Sequence, residues 1–120
     1  MADTLTKRER LHTKSGIDAL LSKGKFCPAG DMKYCVRYGS GEDVNRIMAS
    51  VSKKLFRRAV KRNLIKRRIR EAYRTQKQLL HGTGADILLI YNTKEILSSA
   101  GIKTIVGEIL GRIDDNFPSP

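Results

Sequence analysis

Acidic side chains are scarce in this sequence: 12 Asp and Glu stand against 24 Lys and Arg, a formal charge of +12 at neutral pH. Cys27 and Cys35 are the only cysteines, so no second pair is available to complete a zinc site. A Cys27–Cys35 disulfide and two reduced thiols are both open to such a chain, and reduced thiols in a reducing compartment are the expected state. No apolar run approaches the roughly 20 residues that span a bilayer. The charged start MADTLTKRER has no apolar stretch of the kind a secretory signal carries. These shortages point to a cytoplasmic protein. Catalytic groups are missing too. His12 and His81 are isolated, Glu42 and Asp43 read as a solvated loop pair, and there is no Ser/His/Asp set, metal-ligand cluster or glycine-rich phosphate loop. The expectation is a chain with no catalytic residue and no metal site of its own.

What is present is cation, and it is concentrated. Between Lys53 and Arg74 lie eleven Lys/Arg and a single acid, Glu71, a local balance of +10 that leaves only +2 for the rest of the chain. A cationic stripe this dense calls for a dense anionic partner, and nucleic-acid phosphates are the commonest one. The length of 120 residues and the 40% hydrophobic content suit one domain with a real core.

Residues 1–12 alternate charged and small polar groups, with Leu5 and Leu11 as anchors, and read as a loose basic arm. A single domain is expected over residues 13–113, and a disordered tail over 114–120. Ser15 to Asp18 resembles a capping box, opening a short helix with Ile17, Leu20 and Leu21 on one face and Gly24 as its stop. Phe26 to Tyr38 reads as strand, broken by a turn at 27–31. After the turn Met32, Tyr34, Val36 and Tyr38 alternate with Lys33, Cys35 and Arg37, so the first set faces the core. Arg46 to Ser52 is the next strand, with Ile47, Ala49 and Val51 inward and Met48, Ser50 and Ser52 outward.

The basic stretch follows as a long helix, Phe56 to Leu80, roughly 36 Å at 1.5 Å per residue. Ile65, Ile69, Ala72, Tyr73, Gln76 and Leu80 form its core seam. Asn63, Lys66, Arg67, Arg70 and Arg74 lie opposite, with Arg57, Lys61 and Arg68 on a flank. The run ADILLIY, 85–91, reads as a buried strand. Ile102, Ile105, Val106, Ile109, Leu110 and Ile113 mark a last amphipathic helix capped by Ser98 or Ser99. The order α-β-β-β-α-β-α predicts a two-layer α+β fold, and the β-α-β unit within it would by default cross over right-handed.

A charged helix face is usually only a solvated one. Solvated faces mix their signs, however, because like charges at i, i+4 repel by a few tenths of a kcal/mol, and here Lys66–Arg70–Arg74 and Asn63–Arg67 run unmatched. Arg outnumbers Lys seven to four in the stretch, which favours planar, bidentate contact with phosphates or bases. DNA reading by such a helix needs a zipper or a helix-turn-helix, and neither is present. Membrane binding needs the opposite face free, and that face belongs to the core. A structured RNA fits.

Ser50-Val-Ser-Lys-Lys54, followed by Ala59 to Arg74, closely resembles the signature of the bacterial ribonuclease P protein subunit. Arg62, Asn63, Lys66, Arg67, Arg70, Ala72 and Tyr73 match its motif, and Leu64 stands where the family carries an arginine. The likeness spans about residues 8–113. It implies a ribosomal-protein-like fold, with a four-stranded sheet and a left-handed β-α-β crossover in place of the default. It also implies an accessory role in a ribonucleoprotein endonuclease that removes the 5′ leader of precursor tRNA, the RNA subunit carrying the Mg2+-dependent chemistry. The RNA subunit would be bound by Lys53, Lys54 and Arg58 ahead of the helix, and by Arg62, Asn63, Lys66, Arg67, Arg70 and Arg74 along it. The leader would lie in a cleft lined by Ile17, Leu21, Lys33, Cys35, Arg37, Ser50 and Ser52. The family places phenylalanines where this chain has Ile17 and Leu21, and aliphatic side chains cannot stack on bases. The alternatives are a ribosomal-protein-like RNA binder without processing activity and, behind it, a nuclease acting without RNA.

Overall fold

The structure, a computed structural model, describes residues 7–118. In chain order the elements are α1 (Lys14–Lys23), β1 (Lys25–Ala29), β2 (Met32–Arg37), β3 (Arg46–Val51), α2 (Ala59–Arg74), β4 (Asp86–Tyr91) and α3 (Ser99–Asp115). The fold is α+β: three helices and one four-stranded sheet in the order β1-β2-β4-β3. β1, β2 and β4 pair antiparallel, and β3 pairs parallel to β4. β4 is an inner strand, which is why its sequence is almost continuously apolar.

The β1–β2 hairpin closes with two residues between Ala29 and Met32. Gly30 takes a left-handed φ of 59° there, a conformation glycine reaches without steric cost. The turn is thus confined to Gly30 and Asp31, and the strand before it runs on through Cys27 and Pro28. β1 is an edge strand, where the missing N–H of proline costs no ladder bond.

α2 and α3 cover one sheet face. Met32, Tyr34 and Val36 of β2, Ile47, Ala49 and Val51 of β3, and Ile87, Leu89 and Tyr91 of β4 pack there against Ile65, Ile69, Ala72 and Tyr73 and the apolar seam of α3. Ser98 caps α3, its hydroxyl accepting the Gly101 amide at 3.1 Å. On the other face α1 builds a smaller cluster from Leu11, Leu20, Cys35 and Leu88. Cys27 belongs to the first face and Cys35 to the second, and both are free thiols.

Several expectations need correction. α2 has 16 residues, about 24 Å at 1.5 Å per residue, not the 25 expected. Its start is delayed because the amides of Leu55 and Phe56 turn back to the Ser52 carbonyl. Phe56 is instead buried against Tyr91, ring centroids 6.1 Å apart. Its end comes at Thr75, whose hydroxyl donates to the Glu71 carbonyl at 3.0 Å. Gln76 then donates to the Ala72 and Lys103 carbonyls, and a 3₁₀ turn at Lys77–Leu79 delivers Leu80 to the core.

α1 is capped by Thr13, not Ser15, through a 3.2 Å bond from the Gly16 amide. Of its expected apolar face only Leu20 is buried; Ile17 is half-buried and Leu21 is exposed. The described part of the expected loose arm, residues 7–12, is tied to the rest of the fold. Lys7–Glu9 forms a 3₁₀ turn, Glu9 pairs with Lys77 at 3.0 Å, and the Leu11 amide bonds the Ile47 carbonyl at 2.8 Å. Residues 1–6 of that arm lie outside the described residues. The tail is tied down as well: α3 runs to Asp115 and Phe117 packs edge-on against Tyr38 at 5.2 Å. Residues 119–120 lie outside the described residues.

Candidate nucleic-acid interface

α2 presents its charge because its other face is taken. Ile65, Ile69, Ala72 and Tyr73 are buried at helical spacing, which turns Asn63, Arg67 and Arg70 to solvent. Lys66 is half-buried beside them. Lys53, Lys54 and Arg58 are exposed in the turn and extended segment leading into the helix. Not all the cations of the stretch are alike, however. Arg62 Nη1 donates to the Phe56 and Arg57 carbonyls at 2.8 and 2.7 Å, pinning the chain ahead of the helix. Arg68 Nη1 donates to the Leu97 carbonyl at 2.7 Å, fastening α2 to the approach to α3. Arg74 pairs with Glu71, Nε to Oε2 at 3.1 Å, and that guanidinium holds the Glu71 carboxyl below its ordinary range. Lys66, Arg67 and Arg70 make no ion pair with any described residue, and they form the outward cationic face.

A groove of about 390 Å³ adjoins that face. Leu11, His12 and Ile17 form one wall, Ile47, Met48 and Ala49 the floor, and Lys66 and Arg70 the other wall, with Arg10 at the rim. It exists because the Arg10–Ile47 bridge holds the N-terminal segment along β3, while α2 packs on that strand from the far side. A smaller recess of about 170 Å³ lies next to it, among Lys7, Arg8, Arg10 and Arg46.

The sheet face under α1 resolves into three rows of cross-strand neighbours. Arg37, Asp86 and Arg46 form the first. Asp86 is wholly buried, and Arg46 grips both its oxygens at 2.8 Å, with Arg37 at 3.9 Å. Hydrogen bonding to that carboxylate lifts the Arg46 pKa despite its partial burial. Phe26, Cys35, Leu88 and Met48 form the second row, and Pro28, Lys33, Ile90 and Ser50 the third. α1 starts beside Ile47, through the Leu11 bond, and ends at Gly24, where an added Cβ would lie 2.5 Å from Cys35 Sγ. The helix therefore crosses the strands from β3 towards β1, over the second row, and leaves the third open.

The expected cleft residues divide accordingly. Ile17 lines the groove; Lys33 and Ser50 share the open row, and Ser52 is exposed beyond the end of β3. Leu21 is exposed on α1, four residues from Ile17. Arg37 sits at the opposite end, engaged with Asp86. Cys35 is not a cleft residue: it is fully buried, its thiol 3.6 Å from the Leu20 carbonyl, and burial pushes its pKa up. Its alternation with Lys33 and Arg37 was read correctly, but the packing of α1 over the middle row leaves no sequence signal. Met48, Arg10 and His12, which line the groove, and Ile90, which lies in the open row, are absent from the expected cleft. Met48 was legible as an outward residue of β3, whereas Ile90 is hidden in an unbroken apolar run. Asp86, the single charge in the segment 85–91, is likewise absent from the expected site residues.

His81 and Asp114 pair at 2.9 Å on the surface. Among the described residues no three His, Cys, Asp or Glu side chains converge as a metal would require, and no helix is long and apolar enough to cross a membrane.

A four-stranded α+β sheet, one face closed by two helices and the other opening beside a cationic helix, defines the class of protein. Within that class the chain belongs to the ribonuclease P family, whose family model matches residues 5–114. It is 35% identical to the ribonuclease P protein component of Porphyromonas gingivalis, across 96% of this chain and 90% of that one. The Borreliella burgdorferi ribonuclease P protein component is 32% identical over 72% of each chain. Among solved structures, the Staphylococcus aureus RNase P protein superposes with a TM-score of 0.74 at 27% identity, covering 92% of this chain and 98% of that one. The RNase P protein of Thermotoga maritima gives 0.75 at 26% identity, covering 88% and 97%.

Proposed function

We propose that the chain is the protein subunit of ribonuclease P, assisting the endonucleolytic removal of the 5′ leader from precursor tRNA in the cytoplasm. The observation that carries this reading is the outward face of α2, where Lys66, Arg67 and Arg70 have no acidic partner among the described residues and stand next to a groove with an apolar floor. Like charges held side by side repel, and the phosphates of a folded RNA relieve that repulsion. In this reading Arg67, Arg70 and Asn63, with Lys53, Lys54 and Arg58 ahead of the helix, bind the RNA subunit. Arg62 and Arg74 act chiefly by holding the helix, since both already bond within the chain. The groove and the open sheet row take the single-stranded leader. Ile17 and Met48 offer apolar surface to bases, and Lys66, Arg70 and Lys33 offer charge to phosphates.

The chain supplies position and charge neutralisation, and the RNA subunit supplies the reaction together with its Mg2+. Steps left to the protein are binding the leader, orienting it against the RNA and screening phosphate repulsion between two RNAs, which is greatest when divalent cations are few. Adding the chain to a ribonuclease P RNA and precursor tRNA at low magnesium tests this directly. Leader removal should be strongly stimulated. Binding without stimulation would favour a structural RNA binder instead, and leader cleavage with no RNA subunit would favour a protein nuclease.

A further inference from the structure

The chain has seven Phe and Tyr rings, and six of them are used inside the protein. Tyr34, Phe56, Tyr73 and Tyr91 are buried, and Tyr38 and Phe117 pack on each other. The seventh, Phe26, is 53% exposed. Its position is informative. Phe26 lies directly opposite Cys35 in the β1–β2 ladder, and directly opposed residues share a face. Cys35 packs under α1, so Phe26 stands on the same face as the groove, at the β1 end. It shares a cross-strand row with Met48 of the groove floor, three strand spacings or about 14 Å away. Leu21, 47% exposed, leads towards it along α1, and Lys33 lies in the adjoining open row. Around the ring, residues 21–33 carry three exposed lysines, Lys23, Lys25 and Lys33, against one acid, Asp31.

An uncovered ring among cations, at the end of a strip that begins in a cationic groove, suits a ligand with flat apolar faces joined by negative charges. We propose that Phe26 is a stacking platform for one nucleobase of the single-stranded leader, with Lys33 neutralising the neighbouring phosphate. This rests on the function proposed above and deepens it. It places the aromatic contact on β1, while α1 offers only Ile17 and Leu21 along the same path. A second copy of the chain pairing along β1 suits the site less well, because Pro28 interrupts the edge and Lys25 charges it.

The test uses the full chain assembled with a ribonuclease P RNA and a set of precursor tRNAs, each with one abasic position in the leader. With the unaltered protein, one abasic position should weaken binding by roughly 5- to 150-fold, the value of one base stacked on a ring. Phe26→Leu should bind the intact leader equally weakly and lose its sensitivity at that position alone, while Phe26→Tyr restores it. Mature tRNA, lacking the leader, should bind both proteins alike. The inference is overturned if Phe26→Leu shows the same abasic profile as the unaltered protein. It is also overturned if the substitution changes only self-association, which would give the ring to a contact between copies. Loss of all RNA binding by the unaltered protein would instead sink the functional reading, and this inference with it.

Discussion

The two faces of the sheet are built from the same strands and have opposite fates. On one, alternate residues of β2, β3 and β4 meet α2 and α3 and are sealed, with Ile65, Ile69, Ile87 and Leu89 excluded from solvent. On the other, α1 covers the centre of the middle row, Cys35 and Leu88, and leaves its ends, Phe26 and Met48, and the neighbouring Ile90 wholly or partly open. Apolar area removed from water stabilises the fold at roughly 25 cal/mol per Å². The closed face therefore carries stability, and the half-covered face leaves apolar surface exposed, on the side where the proposed leader would lie. α2 belongs to both, fixed to the closed side by its seam and bordering the open side with Lys66 and Arg70.

The sharpest way to break this comparison is to truncate one residue on each side. Ile69→Ala should destabilise the protein by about 2–5 kcal/mol, whereas Leu21→Ala should stay within about 0.5 kcal/mol; thermal or urea unfolding measures both. Equal losses would mean that the faces share the load. A smaller effect separates the cations of α2. Arg67→Ala with Arg70→Ala should flatten the log–log salt dependence of RNA binding by about 1.4–1.8, from 0.7–0.9 per phosphate contact, with little change in melting temperature. Arg68→Ala should do the reverse, because its guanidinium is committed to the Leu97 carbonyl. A salt titration of RNA affinity, run beside a melt, reads out both. The smallest effect concerns the C-terminal fastening. The His81 amide, and then its ring, hold the Asp114 carboxyl below its ordinary range. A lowered folded pKa contributes stability that is complete above the unfolded value and is lost as pH falls through the folded one. Asp114→Asn should accordingly be slightly less stable than the parent at neutral pH, and the two should converge below about pH 4. A constant gap across that range would exclude the carboxylate as the cause.

The closed face was readable in advance and the open face only in part. Period-2 alternation in β2 and β3 and the i, i+3, i+4 seams of α2 and α3 record burial against large, continuous partners, so they survive into the sequence. The α1 side rests on isolated long-range contacts that leave no periodic trace: the Leu11 amide on Ile47, Glu9 on Lys77, the Cys35 thiol under Leu20. Hence from sequence alone the N-terminal segment reads as a loose arm and Cys35 as a cleft residue. The boundaries of α2 failed for a related reason. Phe56 fits a helical pattern locally, but the Ser52 turn and the pocket beside Tyr91 claim it. The cationic face was legible as charge density; which of its members are already engaged depends on how the chain turns ahead of α2, for Arg62, and on a carbonyl far along the chain, for Arg68.

The strand order carries a consequence for how the protein is made. β4 sits between β2 and β3, yet it is the last strand to leave the ribosome. Until residues 86–91 emerge, β3 has no sheet partner beyond the short bridge from Arg10. The β1–β2 hairpin likewise lacks the strand that joins it to the rest. At about 5–20 residues per second the interval from Val51 to Tyr91 lasts roughly 2–8 s. During it α2 emerges with all its positive charge and nothing to shelter its apolar seam. Insertion of one strand then joins hairpin, β3 and helix together, and α3, which follows it in the chain, completes the sealed face.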